Sequence, residues 1–135
     1  MRRLSGNRQE KKLIIKLNLK SLNIALGSMK PSEILKNNVN KIKELMAKYP
    51  DLEISNVRVF GSIVRGEDHE GSDIDLLISS PVKRSLFRRM GLQQEISEAL
   101  GVEVDLLTEQ ELKGAIKHIL YEAVPLDLLS VKIEK

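Results

Sequence analysis

Apolar residues recur along the chain with two periods, and the switches between them mark the elements. Ile34, Leu35, Val39, Ile42, Leu45, Met46 and Tyr49 fall at helical spacing behind Pro31-Ser32-Glu33. This predicts one helix, N-capped by Ser32 with Glu33 in its first turn and ended by Pro50-Asp51. Residues 57–60 are a short β-rich run closed by Gly61-Ser62. A short helical or looped piece follows through Arg65-Gly66, and the polar residues 67–72 read as a loop. Residues 73–79 alternate, with Ile74, Leu76 and Ile78 on one face and Asp73, Asp75, Leu77 and Ser79 on the other. Residues 83–100 are a helix candidate with Gly101 at its C-terminal cap. Val102, Val104 and Leu106 alternate with Glu103, Asp105 and Leu107 in a further strand. Thr108-x-x-Glu111 is a capping box opening a last helix, with Leu112, Ala115, Ile116, Ile119, Leu120 and Ala123 on one face and Val124-Pro125 as its stop. That apolar stripe is expected to join the core. Strands alternating with helices argue for an α/β or α+β architecture around one small sheet.

Composition bounds what such a domain can do. The chain has 135 residues, 41% hydrophobic and 30% charged, as suits one soluble globular domain. Cysteine is absent, which removes disulfides, thiol catalysis and Cys-ligated metal sites. Two histidines exclude three-His and HExxH zinc sites. His69 is expected in an exposed loop and His118 on the surface. No apolar run is long enough to span a bilayer. The stretch from Leu13 to Leu26 is broken by Lys16, Asn18, Lys20 and Asn23 and lacks a cleavage site, so it is no secretion signal, and a cytoplasmic location is expected.

The net charge of +3 changes meaning once it is divided. Residues 1–30 carry eight bases against one acid, a balance of +7, and the remaining 105 residues carry fourteen bases against eighteen acids, a balance of −4. Residues 1–30 are therefore expected to be a basic, flexible extension, with Met29 a candidate start, and residues 31–135 the folded domain. An acidic body disfavours a polynucleotide substrate.

Two features carry chemistry. Gly61-Ser62 ends one strand, and Asp73-Ile74-Asp75 opens the next, putting two carboxylates on one strand face. Mutual repulsion of such carboxylates calls for a divalent cation, and Mg²⁺ is typically held by one or two carboxylates plus substrate phosphates. The glycine lets a phosphate approach the backbone, free N–H groups of a following helix turn would favour an anion, and Ser62 adds a hydroxyl. Either Glu103 or Asp105, which share a strand face, could supply a third carboxylate. The segment 61–66 is no Walker A loop, because the Lys-Ser/Thr pair is missing.

Gly61-Ser62, ten intervening residues, then Asp73-x-Asp75 resembles the signature of the DNA polymerase β-like nucleotidyltransferase superfamily. Arg65-Gly66, Ser72, Val104-Asp105-Leu106-Leu107 and the ending Ala123-Val124-Pro125-Leu126 are similar to its minimal nucleotidyltransferase (MNT) group. The resemblance implies the nucleotidyltransferase fold, an α+β (α/β-like) arrangement with helices packing a small mixed sheet over residues 31–135. It implies that Gly61, Ser62 and Arg65 hold the triphosphate of ATP, and that Asp73, Asp75 and Asp105 are the catalytic carboxylates binding two Mg²⁺. It further implies an antitoxin that moves AMP from ATP to a tyrosine hydroxyl of a HEPN-type ribonuclease toxin. A small hydroxyl acceptor such as an aminoglycoside, or silencing of a partner by contact alone, are the alternatives; the short chain leaves no room for a separate acceptor domain.

Overall fold

The computed structural model describes residues 29–82, 85–112, 114 and 116–130. Of the expected extension 1–30, residues 1–28 lie outside them, as do Lys83, Arg84, Lys113, Ala115 and residues 131–135, whereas Met29 packs against the core and Lys30 caps the first helix. Helices α1 (Pro31–Asn37) and α2 (Val39–Ala47) lead to strand β1 (Ser55–Phe60). Strand β2 (Ile74–Ser79), helix α3 (Leu86–Leu100) and strand β3 (Val104–Thr108) follow. Two short helices, α4 (Glu109–Leu112) and α5 (Ile116–Glu122), run into the two-residue strand β4 (Val124–Pro125).

The four strands form one mixed sheet in the order β3-β2-β1-β4. β1 is antiparallel to both β2 and β4, whereas β2 and β3 are parallel and joined by a crossover through α3. Ile74, Leu76, Ile78, Val59, Val104 and Leu106 share one sheet face and are at most 2% exposed. They join one apolar cluster with Leu35 and Val39 of the α1–α2 pair, Ile42 of α2, and Leu92 and Ile96 of α3. Alternation places Leu77 and Phe60 on the opposite face, where both are buried outside that cluster. The sheet thus has an apolar face that holds the fold and a second face that carries Asp75 and Asp105.

Several elements differ from the periodic reading. The first helix is two helices, interrupted at Asn38 (φ −125°, ψ 18°), whose side-chain amide donates to the Ile34 carbonyl at 2.7 Å. Its start is two residues earlier than expected: Pro31 takes the first helical position and Lys30, not Ser32, is the N-cap. The Ser32 N–H is instead satisfied by Asp68 from the 67–72 loop, at 2.9 Å. That bond ties the loop between the two motifs to the helical layer. The 83–100 helix begins at Leu86 among the described residues, and Gly101 caps it with φ 72° as expected.

The last helix is also two pieces, and Val124-Pro125 is not merely a stop. Val124 pairs with Val59 and Pro125 with Arg58, making an edge strand, a position that tolerates proline. The capping signal is real in one half: Glu111 accepts the Thr108 N–H at 2.8 Å. Of the stripe expected in the core, Leu112, Ile119 and Leu120 are not part of the main cluster, while Ala115 and the Ile116 side chain lie outside what the structure describes. Leu112 and Ile119 are half-buried and Leu120 is exposed. Buried Arg58 helps pin this segment, donating to the Ser79 hydroxyl and, at 2.7 Å, to Glu109.

Tyr49, just past the end of α2, ties that region to α3, its hydroxyl donating to Glu95 at 2.6 Å. A Cβ added at Gly91 in the middle of α3 would meet the Tyr49 hydroxyl at 3.6 Å, an ordinary contact. Gly91→Ala is therefore expected to stabilise the protein by about 0.5–1 kcal/mol through helix propensity. A denaturant titration checks this, and a loss of stability would mean that Tyr49 cannot accept the methyl.

Candidate functional site: a carboxylate cluster beside a strand-end turn

β1 ends where β2 begins, so the antiparallel register sets Phe60 opposite Asp75. Gly61 then turns away in a single 3-10 turn, Gly61–Ile63, whose carbonyl at Gly61 accepts the N–H groups of Val64 (3.1 Å) and Arg65 (3.3 Å). Gly61 has φ +83°, a left-handed backbone that favours glycine. A Cβ there would overlap the Asp75 carboxylate, with the Asp75 Cγ only 3.3 Å away. Two independent requirements therefore fix a glycine at this position. The room it leaves is filled by Asp75.

The parallel register pairs Asp75 with Asp105 directly, and Ile74 with Val104. Paired residues in neighbouring strands project from the same face. Asp105, not Glu103, is therefore the β3 carboxylate level with Asp75. Asp73 stands two residues before Asp75, just ahead of β2. The structure thus brings Asp73, Asp75 and Asp105 to one end of one sheet face, next to the Gly61-Ser62 turn.

Electrostatics report this crowding. Burial first, then the charges of Asp105 and Asp73, push the Asp75 carboxyl up from 3.8 to about 6, with Glu122 adding to the rise and Arg65 opposing it. A carboxylate so raised favours the folded state only while it is protonated. Its contribution is complete below pH 3.8 and is lost as pH rises through about 6. Asp75→Asn is therefore expected to raise the melting temperature of the metal-free protein above pH 6 and to change little below pH 3.8. Melts across that range in EDTA test this; a variant no more stable at the alkaline end would remove the repulsion from the account.

The cluster has the donor set for a hard divalent cation: oxygen only, with a like-charge repulsion that a cation relieves. As the side chains stand, no three acidic or histidine side chains among the described residues are gathered closely enough to hold an ion. Two carboxylates and the oxygens of a bound phosphate would complete such a shell.

Arg65 lies on the same turn. It donates from Nε to Glu67 at 2.7 Å and from Nη1 to Glu122 at 3.2 Å. Glu122, at the end of α5, also accepts the Gly61 N–H at 3.0 Å, and this bond is the main cause of its lowered pKa. The expectation of free N–H groups at a helix start here is thus corrected: the turn is three residues long and the Gly61 N–H is occupied. Glu122 has no local sequence signal, and only its closing position next to Ala123-Val124-Pro125 could have drawn notice. His69 and His118 are exposed, as expected. No helix among the described residues is long and apolar enough to cross a membrane.

The sequence and the architecture are similar to those of known proteins. Residues 39–127 match the family model of the nucleotidyltransferase domain. The chain is 40% identical over 83 residues to the protein adenylyltransferase MntA of Thermococcus cleftensis, covering 61% of this chain and 81% of that one. It is 37% identical over 92 residues to a protein of Methanocaldococcus jannaschii named as a candidate protein adenylyltransferase, covering 64% of this chain and 96% of that one. A solved structure of a candidate minimal nucleotidyltransferase superposes with a TM-score of 0.57 at 33% identity, over 67% of this chain and 94% of the other. The same fold occurs, at 24% identity and a TM-score of 0.56 over 69% of this chain and 81% of the other, in a crystal structure of a toxin-antitoxin with AMP-PNP. With its sheet, its glycine-serine turn and its carboxylate strands in this arrangement, the chain belongs to the nucleotidyltransferase domain family and is a nucleotidyl-transferring enzyme.

Proposed function

We propose that the protein transfers AMP from ATP to a tyrosine hydroxyl of a cognate HEPN-type ribonuclease toxin, and so acts as its antitoxin in the cytoplasm. The observation that carries the chemistry is the pairing of Asp75 with Asp105 beside the Gly61-Ser62 turn. Identity to a protein adenylyltransferase supports a protein acceptor, and the resemblance of the motifs to the MNT group supports the toxin.

In this reading Asp73 and Asp75 hold Mg²⁺, and Asp105 completes the set. Bound Mg²⁺ supplies positive charge for the phosphates and makes the acceptor hydroxyl more acidic. The Gly61-Ser62 turn and Arg65 hold the triphosphate, with the Ser62 hydroxyl as a donor, and the missing side chain at Gly61 leaves Asp75 its place beside the turn. Asp105 orients the attacking hydroxyl and takes its proton. The hydroxyl oxygen forms a bond to the α-phosphorus, the bond from that phosphorus to the bridging oxygen breaks, and pyrophosphate leaves with the electron pair.

The test is incubation with ATP labelled on the α-phosphate, Mg²⁺ and the product of the adjacent gene. Label on the partner's tyrosine is expected. A stable complex that never takes up label would instead make the protein a binding antitoxin.

A further inference from the structure

We infer that Glu122 is a positioning residue for the triphosphate cradle, holding Gly61 and Arg65 on either side of Ser62 in the arrangement that ATP meets; the inference rests on the nucleotidyl-transfer reading above. Three bonds carry it. Glu122 Oε1 accepts the Gly61 N–H at 3.0 Å and Arg65 Nη1 at 3.2 Å, and Oε2 accepts the same Nη1 at 3.3 Å. One carboxylate thus grips both ends of the segment 61–65, with Ser62 between them.

The grip matters because Arg65 is otherwise a surface side chain. Its side chain is 48% exposed, and an isolated exposed arginine keeps most of its rotamer freedom. Glu122 and Glu67 together fix the guanidinium from two sides. A surface ion pair alone contributes little. Glu122 differs in being only 14% exposed and in holding a backbone N–H as well.

A carboxylate on a phosphate's donors could instead be a stand-in that ATP displaces. The surroundings of Glu122 favour the brace. Its backbone is fixed on both sides, by the Ala123 N–H to the Ile119 carbonyl at 2.9 Å and by the pairing of Val124 with Val59. Glu122 also adds negative charge near Asp75, and Arg65 opposes it. Pairing with Arg65 neutralises that charge within the brace, so its presence beside an anionic substrate is tolerable.

Calorimetry with the non-cleavable α,β-methylene analogue of ATP and Mg²⁺ tests this on the full chain. Glu122→Ala should weaken binding about tenfold, as expected for losing a hydrogen-bonded charged partner. Glu122→Gln keeps an acceptor for the Gly61 N–H and should recover part of that loss. Arg65→Ala should weaken binding similarly, and the double variant should bind no worse than either single one. Thermal melts of each variant separate folding from binding. Glu122→Ala that melts early but binds as the wild type does would make Glu122 merely structural and overturn the inference. Tighter binding by Glu122→Ala would overturn it too, by showing a competitor rather than a brace. No binding by the wild-type protein would strike at the nucleotidyl-transfer reading itself, and the inference would fall with it.

Discussion

Replacing Asp73 and Asp75 together by alanine is expected to lower nucleotidyl transfer by about a thousandfold or more, because phosphoryl chemistry depends almost wholly on positioning and on electrostatic stabilisation of the phosphate oxygens. The variant should nevertheless fold, and in metal-free buffer it should be more stable than the parent at neutral pH. The reason is the field already described: Asp75 is pushed up by burial and by Asp105 and Asp73, so the folded parent carries a repulsion that the variant lacks. Activity and stability then move in opposite directions, as expected of groups kept for function at a cost to the fold. Transfer assays and melts on the same preparation check both halves. A variant that is inactive because it has unfolded would refute this account of the cluster, as would one that keeps its activity.

Gly61→Ala is expected to be the most damaging single methyl that can be added near the site. The left-handed backbone alone costs about 1–2 kcal/mol for a residue with a Cβ. The methyl would also overlap the Asp75 carboxylate and force that side chain out of the position it holds beside the turn. A displacement of about 1 Å at a reacting centre can cost on the order of a hundredfold in rate, so at least that loss is expected in transfer. Gly66→Ala is the control: Gly66 also has positive φ (+70°), but nothing lies within 4 Å of an added Cβ. It should bear the backbone cost and leave Asp75 in place. Equal losses of transfer in the two variants would show that strain, not the carboxylate, explains the requirement at Gly61.

The order of strands and helices was legible where a single period governs a buried face. Ile74, Leu76 and Ile78 recur with period two, and the structure buries all three on the core face, while Leu77 is buried on the other. Periodicity was blind at Asn38, because the apolar spacing continues across the break while the asparagine side chain takes over a helix carbonyl. It was blind again at Val124-Pro125, since two residues are too few to show alternation and proline is as natural on an edge strand as after a helix. The pair Gly61-Ser62 and Asp73-x-Asp75 could be found because their spacing is local. Alternation does not distinguish Glu103 from Asp105, because both share a face; what the inter-strand register adds is that Asp105 is level with Asp75. Glu122 was invisible for the same kind of reason, reaching the turn from an element that only tertiary packing brings alongside.

The central claim is that this carboxylate cluster moves a nucleoside monophosphate, rather than a phosphate, onto a protein hydroxyl. The most direct measurement runs two parallel reactions of the protein, its adjacent-gene partner and Mg²⁺, one with ATP labelled at the α-phosphate and one at the γ-phosphate. The account predicts α-label on the partner, γ-label only in released pyrophosphate, and neither product when EDTA is present or when Asp73 and Asp75 are replaced by alanine. Transfer of the γ-label to protein, or α-label that persists in the Asp73→Ala/Asp75→Ala variant, would contradict it.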